Sequence, residues 1–218
     1  MTNVELARFN MVEQQVRPWD VLDPQVLDLL ETTPREAFVP TGYQNLAYAD
    51  TDIPIGHGET MLAPKYVGRM LQALGMHEGD IALEVGCGTG YVTALLSKVC
   101  RQVYSVDIHQ DFVDTTADNL KKQGIKNVTL ETGDAAQGWD AHKPYDVIFI
   151  SGSMPALPEN FQKSLNRGGR LVAFVGDSPV MEAILVTRSG ENEWRTETLF
   201  ETAIKPLDKA QKPQRFVF

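Results

Sequence analysis

Three glycines at alternate positions, Gly86, Gly88 and Gly90 in the run LEVGCGTGY over residues 83–91, constrain this chain more than any other feature. The apolar run IALEV precedes them and YVTALLSKVC follows. The order is therefore strand, tight turn, helix. Glycine lets the backbone turn at positive φ and lets a ligand approach main-chain amides with no Cβ in the way. The spacing discriminates between ligands. A dinucleotide loop needs its third glycine at position 91, which is Tyr91, and a P-loop needs a Gly-Lys-Ser/Thr that is absent. Both of those loops cradle phosphate. The tighter loop here suits a ligand without one, and three alternating glycines exceed what a bare strand–helix turn requires.

The rest of the chain extends this unit. From Pro64, which opens a helix closed by Gly75, strands alternate with helices: IALEV, QVYSV, NVTLE, YDVIFI and RLVAFV, with helices in YVTALLSKVC, DFVDTTADNLKKQG and PENFQKSLNRGG. Such alternation implies a parallel sheet covered on both faces. The end differs. MEAILVTRS and EWRTETLFET flank Gly190-Glu191-Asn192 and read as an antiparallel hairpin. Ahead of Pro64 lie two helical patterns, Val4–Val16 and one capped by Asp23 with Pro24 at its first position. Residues 35–60 then read as a long loop. The expected architecture is a single α/β domain over 1–218. Residues 1–63 supply helices and a covering loop, and 64–218 a Rossmann-like core whose mainly parallel seven-stranded sheet ends in the antiparallel hairpin.

Three acids stand at strand ends beside the loop. Asp107 follows Gly86 by 21 residues, the interval at which Rossmann-like sites place a ribose-binding carboxylate. Asp134, in Gly133-Asp134-Ala135, is positioned to accept from an adenine amine. Glu84 is positioned to meet an ammonium group. Such a set matches an uncharged adenosine with a cationic tail, the chemistry of S-adenosylmethionine. The residues expected to line its site are Thr60, Met61, Leu62, Glu84, Gly86, Cys87, Gly88, Gly90, Asp107, Ile108, Gly133, Asp134 and Ala135.

A formal charge of -9, from 29 acidic and 20 basic residues, disfavours a nucleic-acid partner. Lys121, Lys122 and Lys126 read as a solvated helix end. No run is long and apolar enough for a membrane span. Two cysteines, Cys87 and Cys100, are too few for a disulfide framework, and with no signal-peptide pattern at the N-terminus they fit a cytoplasmic protein. His57, His77, His109 and His142 show no metal-ligand spacing, so no metal is expected. His57 reads as a turn-supporting residue, and His109 and His142 as surface loop residues.

Nearly the whole chain resembles the protein-L-isoaspartate O-methyltransferase family. PREAFVP, LAYADTDIPIGHGET and APKYVGRMLQAL carry the resemblance in the first half. LEVGCGTGY, the Gly-Asp at 133–134, PYDVIFISGSMPALPE and LNRGGRLVAFVG carry it in the second. The opening RFNMVEQQVRPWDVLD resembles a bacterial branch. The resemblance implies a class I methyltransferase fold and a monomer that transfers a methyl group from S-adenosylmethionine to the α-carboxylate of an L-isoaspartyl residue in damaged protein. It also implies catalytic roles at Thr60 and at position 62. There the sequence departs from the family: the usual serine is Leu62, and Glu59 stands where glutamine is common. Leucine cannot donate a hydrogen bond, and an ionised Glu59 would repel a carboxylate. A different carboxylate or small-molecule acceptor, or a non-catalytic S-adenosylmethionine-binding module, is the alternative.

Overall fold

A computed structural model describes residues 2–210; the ends of the 1–218 domain expected from sequence lie outside them. The main sheet contains β3 (Ile81–Val85), β4 (Gln102–Asp107), β5 (Val128–Thr132), β6 (Tyr145–Met154), β7 (Leu165–Asp177), β8 (Val180–Arg188) and β9 (Trp194–Thr202). Their spatial order is β5-β4-β3-β6-β7-β8-β9. The first five run parallel, and β7–β8 and β8–β9 pair antiparallel. The expected mainly parallel, seven-stranded sheet with a terminal hairpin is therefore observed. The strand order reverses between β3 and β6, and at such a point the C-terminal strand ends open a crevice.

Side chains alternate across the pleat. Ala82, Val147, Phe149, Val172 and Phe174 pack into one core with the N-terminal helices α1 (Asn3–Met11) and α2 (Pro24–Thr32), α3 (Pro64–Leu74) and α4 (Tyr91–Ser97). Leu83, Val85, Ile148, Ile150 and Leu171 face the other core, with Phe161 of α6 (Glu159–Lys163). Both faces are covered, which is why these strands read as apolar runs. Gly68 of α3 lets the N-terminal segment approach closely: a Cβ there would sit 3.0 Å from Val16 and 3.2 Å from Leu30.

Three expectations need correction. The first helical pattern does not stay α-helical to Val16, because α1 gives way to a π-turn over Val12–Val16. Residues 35–60 are not featureless: they hold 3-10 turns at Arg35–Ala37 and Thr41–Leu46 and the first strand of a hairpin, β1 (Ile53–Gly56) with β2 (Glu59–Met61). The helix expected from Pro158 to Gly169 stops at Lys163. Leu165 pairs with Tyr145 instead, and Gly168, at φ +79°, sits where the register shifts before Arg170 meets Val147. Pairing with β6 wins over helix propensity there.

Candidate cofactor and active site

The glycine loop takes the conformation its composition allows. Gly86, Gly88 and Gly90 have φ of +88°, +53° and +89°, values that L side chains seldom adopt. Around them the chain is held by hydrogen bonds. Gly86 N donates to Val106 O at 2.8 Å and Gly90 N to Cys87 O at 2.8 Å. From α5 (Gln110–Lys122), Thr116 donates to Gly88 O and Asn119 to Thr89 O. A Cβ on Gly88 would lie 2.9 Å from Ile55 Cδ1 of the hairpin. Gly90 lines neither cavity described below. A Cβ on it would meet Thr116 at 2.9 Å, so its freedom serves the turn and the contact with α5.

Two adjoining cavities open from this loop. The outer crevice, about 740 Å³, is lined by Thr60, Leu62, Gly86, Gly88, Asp107, Ile108, Gly133, Asp134 and Ala135 among others. The inner one, about 370 Å³, adds Met61, Glu84, Cys87, Arg35 and Tyr91. They share Ile55, Thr60, Leu62, Gly86, Gly88 and Ser151. Every site residue expected from the sequence except Gly90 thus lines one of two connected spaces. Ser151 and Gly152 reach them because the β6–β7 register shifts between Phe149 and Ser153, and such a bulge re-aims backbone toward a site.

The acids differ in environment. Asp107 accepts from Gly88 N and His109 N, each at 3.0 Å, so its carboxylate is aimed by backbone amides. Asp134 accepts from Ala136 N at 3.1 Å and lies 3.7 Å from Lys209 Nζ. Glu84 is fully buried. Its Oε2 accepts from Thr93 and Ser105 hydroxyls, while Oε1 has no partner. Burial pushes its carboxyl up to about 8. Burial, with the nearby Asp107 carboxylate adding repulsion, raises the Cys87 thiol well above its ordinary value.

Arg35 is one residue the sequence reading missed. It is fully buried, donating from Nε to Ala47 O at 2.8 Å and from Nη2 to Leu62 O at 2.7 Å. Its guanidinium lies 4.8 Å from the Tyr91 ring centroid, and Nη1 is unpartnered, as is the Tyr91 hydroxyl. A basic residue just beyond an apolar helix reads as a solvated cap. Only the tertiary contact 27 residues away, at Leu62, reveals its role. Lys205 was missed as well. It forms an ion pair with Glu59, which answers the repulsion expected of that side chain. Leu62 itself is 5% exposed and contributes its carbonyl to Arg35 as well as an apolar wall.

Folding keeps His57 in its turn and corrects the reading of His109 and His142. His57 sits at the β1–β2 tip with φ +51°, stacked on His109 and bonded to Asp111. His109 is half-buried at the outer crevice. His142 is half-buried too, stacked on Tyr104 and bonded to Glu131. Neither is a plain surface loop residue. Among the described residues, no helix is long and apolar enough to cross a membrane.

Comparison with known proteins agrees with this geometry. A family model described as protein-L-isoaspartate(D-aspartate) O-methyltransferase matches residues 8–212. A protein-L-isoaspartate O-methyltransferase of Pelobacter propionicus is 37% identical over 212 residues, covering 97% of this chain and 94% of that one. Another from Methanospirillum hungatei is 38% identical over 200 residues, covering 92% of each. Among solved structures, a protein-L-isoaspartate O-methyltransferase superposes with a TM-score of 0.79 at 25% identity, covering 91% of this chain and 65% of that longer one. A Plasmodium falciparum structure described as a beta-aspartate methyltransferase in complex with S-adenosyl-L-homocysteine gives 0.78 at 20% identity over 96% of this chain and 100% of that one, a likeness of fold. With a family match over residues 8–212 and relatives 37–38% identical over more than nine tenths of its length, the chain belongs to the protein-L-isoaspartate(D-aspartate) O-methyltransferase family.

Proposed function

We propose that this protein uses S-adenosylmethionine to methylate the α-carboxylate of L-isoaspartyl residues in damaged proteins. The observation that carries the cofactor assignment is the inner cavity. Among its buried polar atoms without partners are two of opposite charge preference, Glu84 Oε1 and Arg35 Nη1, beside the Tyr91 hydroxyl. Unpartnered buried polar atoms are costly, and an amino-acid zwitterion satisfies both: its ammonium donates to Glu84 and its carboxylate accepts from Arg35. The neighbouring outer crevice supplies carboxylates at Asp107 and Asp134 for an adenosine, and Lys205 at its rim is ion-paired with Glu59. When bound, the sulfonium supplies an already activated methyl group.

The chain's own residues then have modest tasks. Thr60 and Leu62 lie where the two cavities meet, and Arg35 fixes the Leu62 carbonyl and so the course of the chain just after β2. The acceptor carboxylate is ionised near neutral pH, so no strong base is required. Positioning and exclusion of water carry the rate. Lys205, by neutralising Glu59, lets an anionic acceptor approach this rim. The family supports the isoaspartyl acceptor. Leu62 in place of the family serine favours one other reading, a different carboxylate acceptor.

The test is incubation with labelled S-adenosylmethionine and paired peptides that differ only in isoaspartyl against aspartyl linkage. Base-labile methyl ester, scored as methanol, is expected from the isoaspartyl peptide alone. Cofactor binding without ester on either peptide would overturn the acceptor assignment.

A further inference from the structure

At the rim of the outer crevice, the tip of the β1–β2 hairpin meets the start of α5. His57 occupies the tip between Gly56 and Gly58, all three at positive φ. Its ring stacks on His109 with centroids 3.9 Å apart and planes 10° apart. His57 Nε2 lies 2.8 Å from Asp111 Oδ2, and His109 Nε2 lies 3.1 Å from Asp208 Oδ2. Phe112 presents its ring to both histidines at about right angles. One ligand atom from each of His57, His109 and Asp111 lies within 4.8 Å of the others. His57 is distant in sequence from His109 and Asp111, so only folding brings the three together.

We propose that His57, His109 and Asp111 bind a divalent transition-metal ion of the zinc class, which fastens the hairpin to the rim of the cofactor crevice. Two imidazoles and one carboxylate form a donor set suited to zinc, nickel or copper rather than to magnesium or calcium. The charge also fits. Asp111 and Asp208 are both acidic, and Lys205, whose ammonium reaches the His57 carbonyl at 3.5 Å, is taken up by Glu59. Around a tetrahedral ion with bonds of ~2.0–2.1 Å, ligand atoms stand roughly 3.3 Å apart. The His57–Asp111 pair needs to open slightly and the stacked rings to splay toward one another. Side-chain exposures of 41% for His57 and 66% for Asp111 leave room for that motion and for water as a fourth ligand. Asp208, on the Nε2 of His109, leaves Nδ1 for the ion and orients the ring, as carboxylates behind metal-bound histidines do. The site is independent of which acceptor the enzyme methylates.

The experiment is calorimetric titration of the chelator-treated full chain with zinc chloride alone, in a non-coordinating buffer near neutral pH, followed by the visible spectrum with cobalt(II). One ion per chain is expected. His57→Asn and Asp111→Asn are each expected to weaken binding at least tenfold, and acidification to weaken it further as protons compete for the imidazoles. Asparagine tolerates left-handed φ, so His57→Asn preserves the tip, and metal-free thermal unfolding of both variants checks that they fold. Zinc is also expected to slow amide exchange over residues 55–60 in the wild type and not in His57→Asn. Absence of stoichiometric binding, or variants that bind as tightly as wild type, would overturn the site and leave two imidazole–carboxylate pairs as the whole device. Binding with unchanged exchange in the hairpin would overturn its fastening role.

Discussion

Glu84 makes the cofactor assignment testable through protons. Its carboxyl sits at about 8 against an ordinary 4.5, because burial outweighs the Ser105 and Thr93 hydroxyls that favour the charged form, and Asp107 adds repulsion. The folded protein therefore holds this proton more tightly than the unfolded chain. For a carboxyl raised in this way, the stabilising contribution is complete below about 4.5 and is lost as pH climbs to about 8. The difference between the two values corresponds to roughly 5 kcal/mol. An ammonium beside Oε1 reverses the balance by favouring the carboxylate, so cofactor binding near pH 7 is expected to release close to one proton per molecule. Calorimetry in phosphate and in Tris, whose ionisation heats differ, measures that proton directly. Glu84→Gln keeps an acceptor for both hydroxyls. It is expected to abolish the release, flatten stability between pH 5 and 8 relative to wild type, and weaken binding by about 1.5–3 kcal/mol. Equal heats in the two buffers for the wild type, or equal proton release in the variant, would refute the reasoning.

Gly88→Val is expected to abolish S-adenosylmethionine binding in a folded protein, since φ of +53° and Ile55 at 2.9 Å leave no room for a β-branched side chain; unchanged affinity by calorimetry would remove the loop from the site. Arg35→Met strands the carbonyls of Ala47 and Leu62, and denaturant unfolding is expected to show a loss of about 1–3 kcal/mol for each stranded carbonyl. Cofactor affinity of whatever Arg35→Met folds is expected to fall, and an unaltered Kd would free Arg35 of any ligand role. Leu62→Ser is expected to cost about 2–5 kcal/mol of stability, by analogy with large-to-small core changes. It should nonetheless raise single-turnover methylation of an isoaspartyl peptide by roughly ten- to a hundredfold, through one transition-state hydrogen bond; vigorous wild-type turnover with no gain in the variant would show that the hydroxyl is dispensable.

The sequence alone determined the local geometry of this protein. Alternate glycines at 86, 88 and 90 need no tertiary contact to announce a turn at positive φ, and apolar runs buried on both faces announce parallel strands. The positions of Asp107 and Asp134 follow as well, because a strand's end and the loop after it are fixed once the strand is. What tertiary structure decided are the pairings between distant segments. Arg35 became a buried anchor because the Leu62 and Ala47 carbonyls close around it, and Lys205 answered Glu59 across 146 residues. The helix expected to Gly169 ended at Lys163 because β6 offered Leu165 a partner. Glu84 was legible as an acid near the loop but not as one whose burial holds its proton to about 8, since desolvation depends on what packs around a side chain. The four histidines have no pattern along the chain, yet His57 and His109 stack, because a hairpin tip and a helix start meet only when the hairpin folds over the crevice.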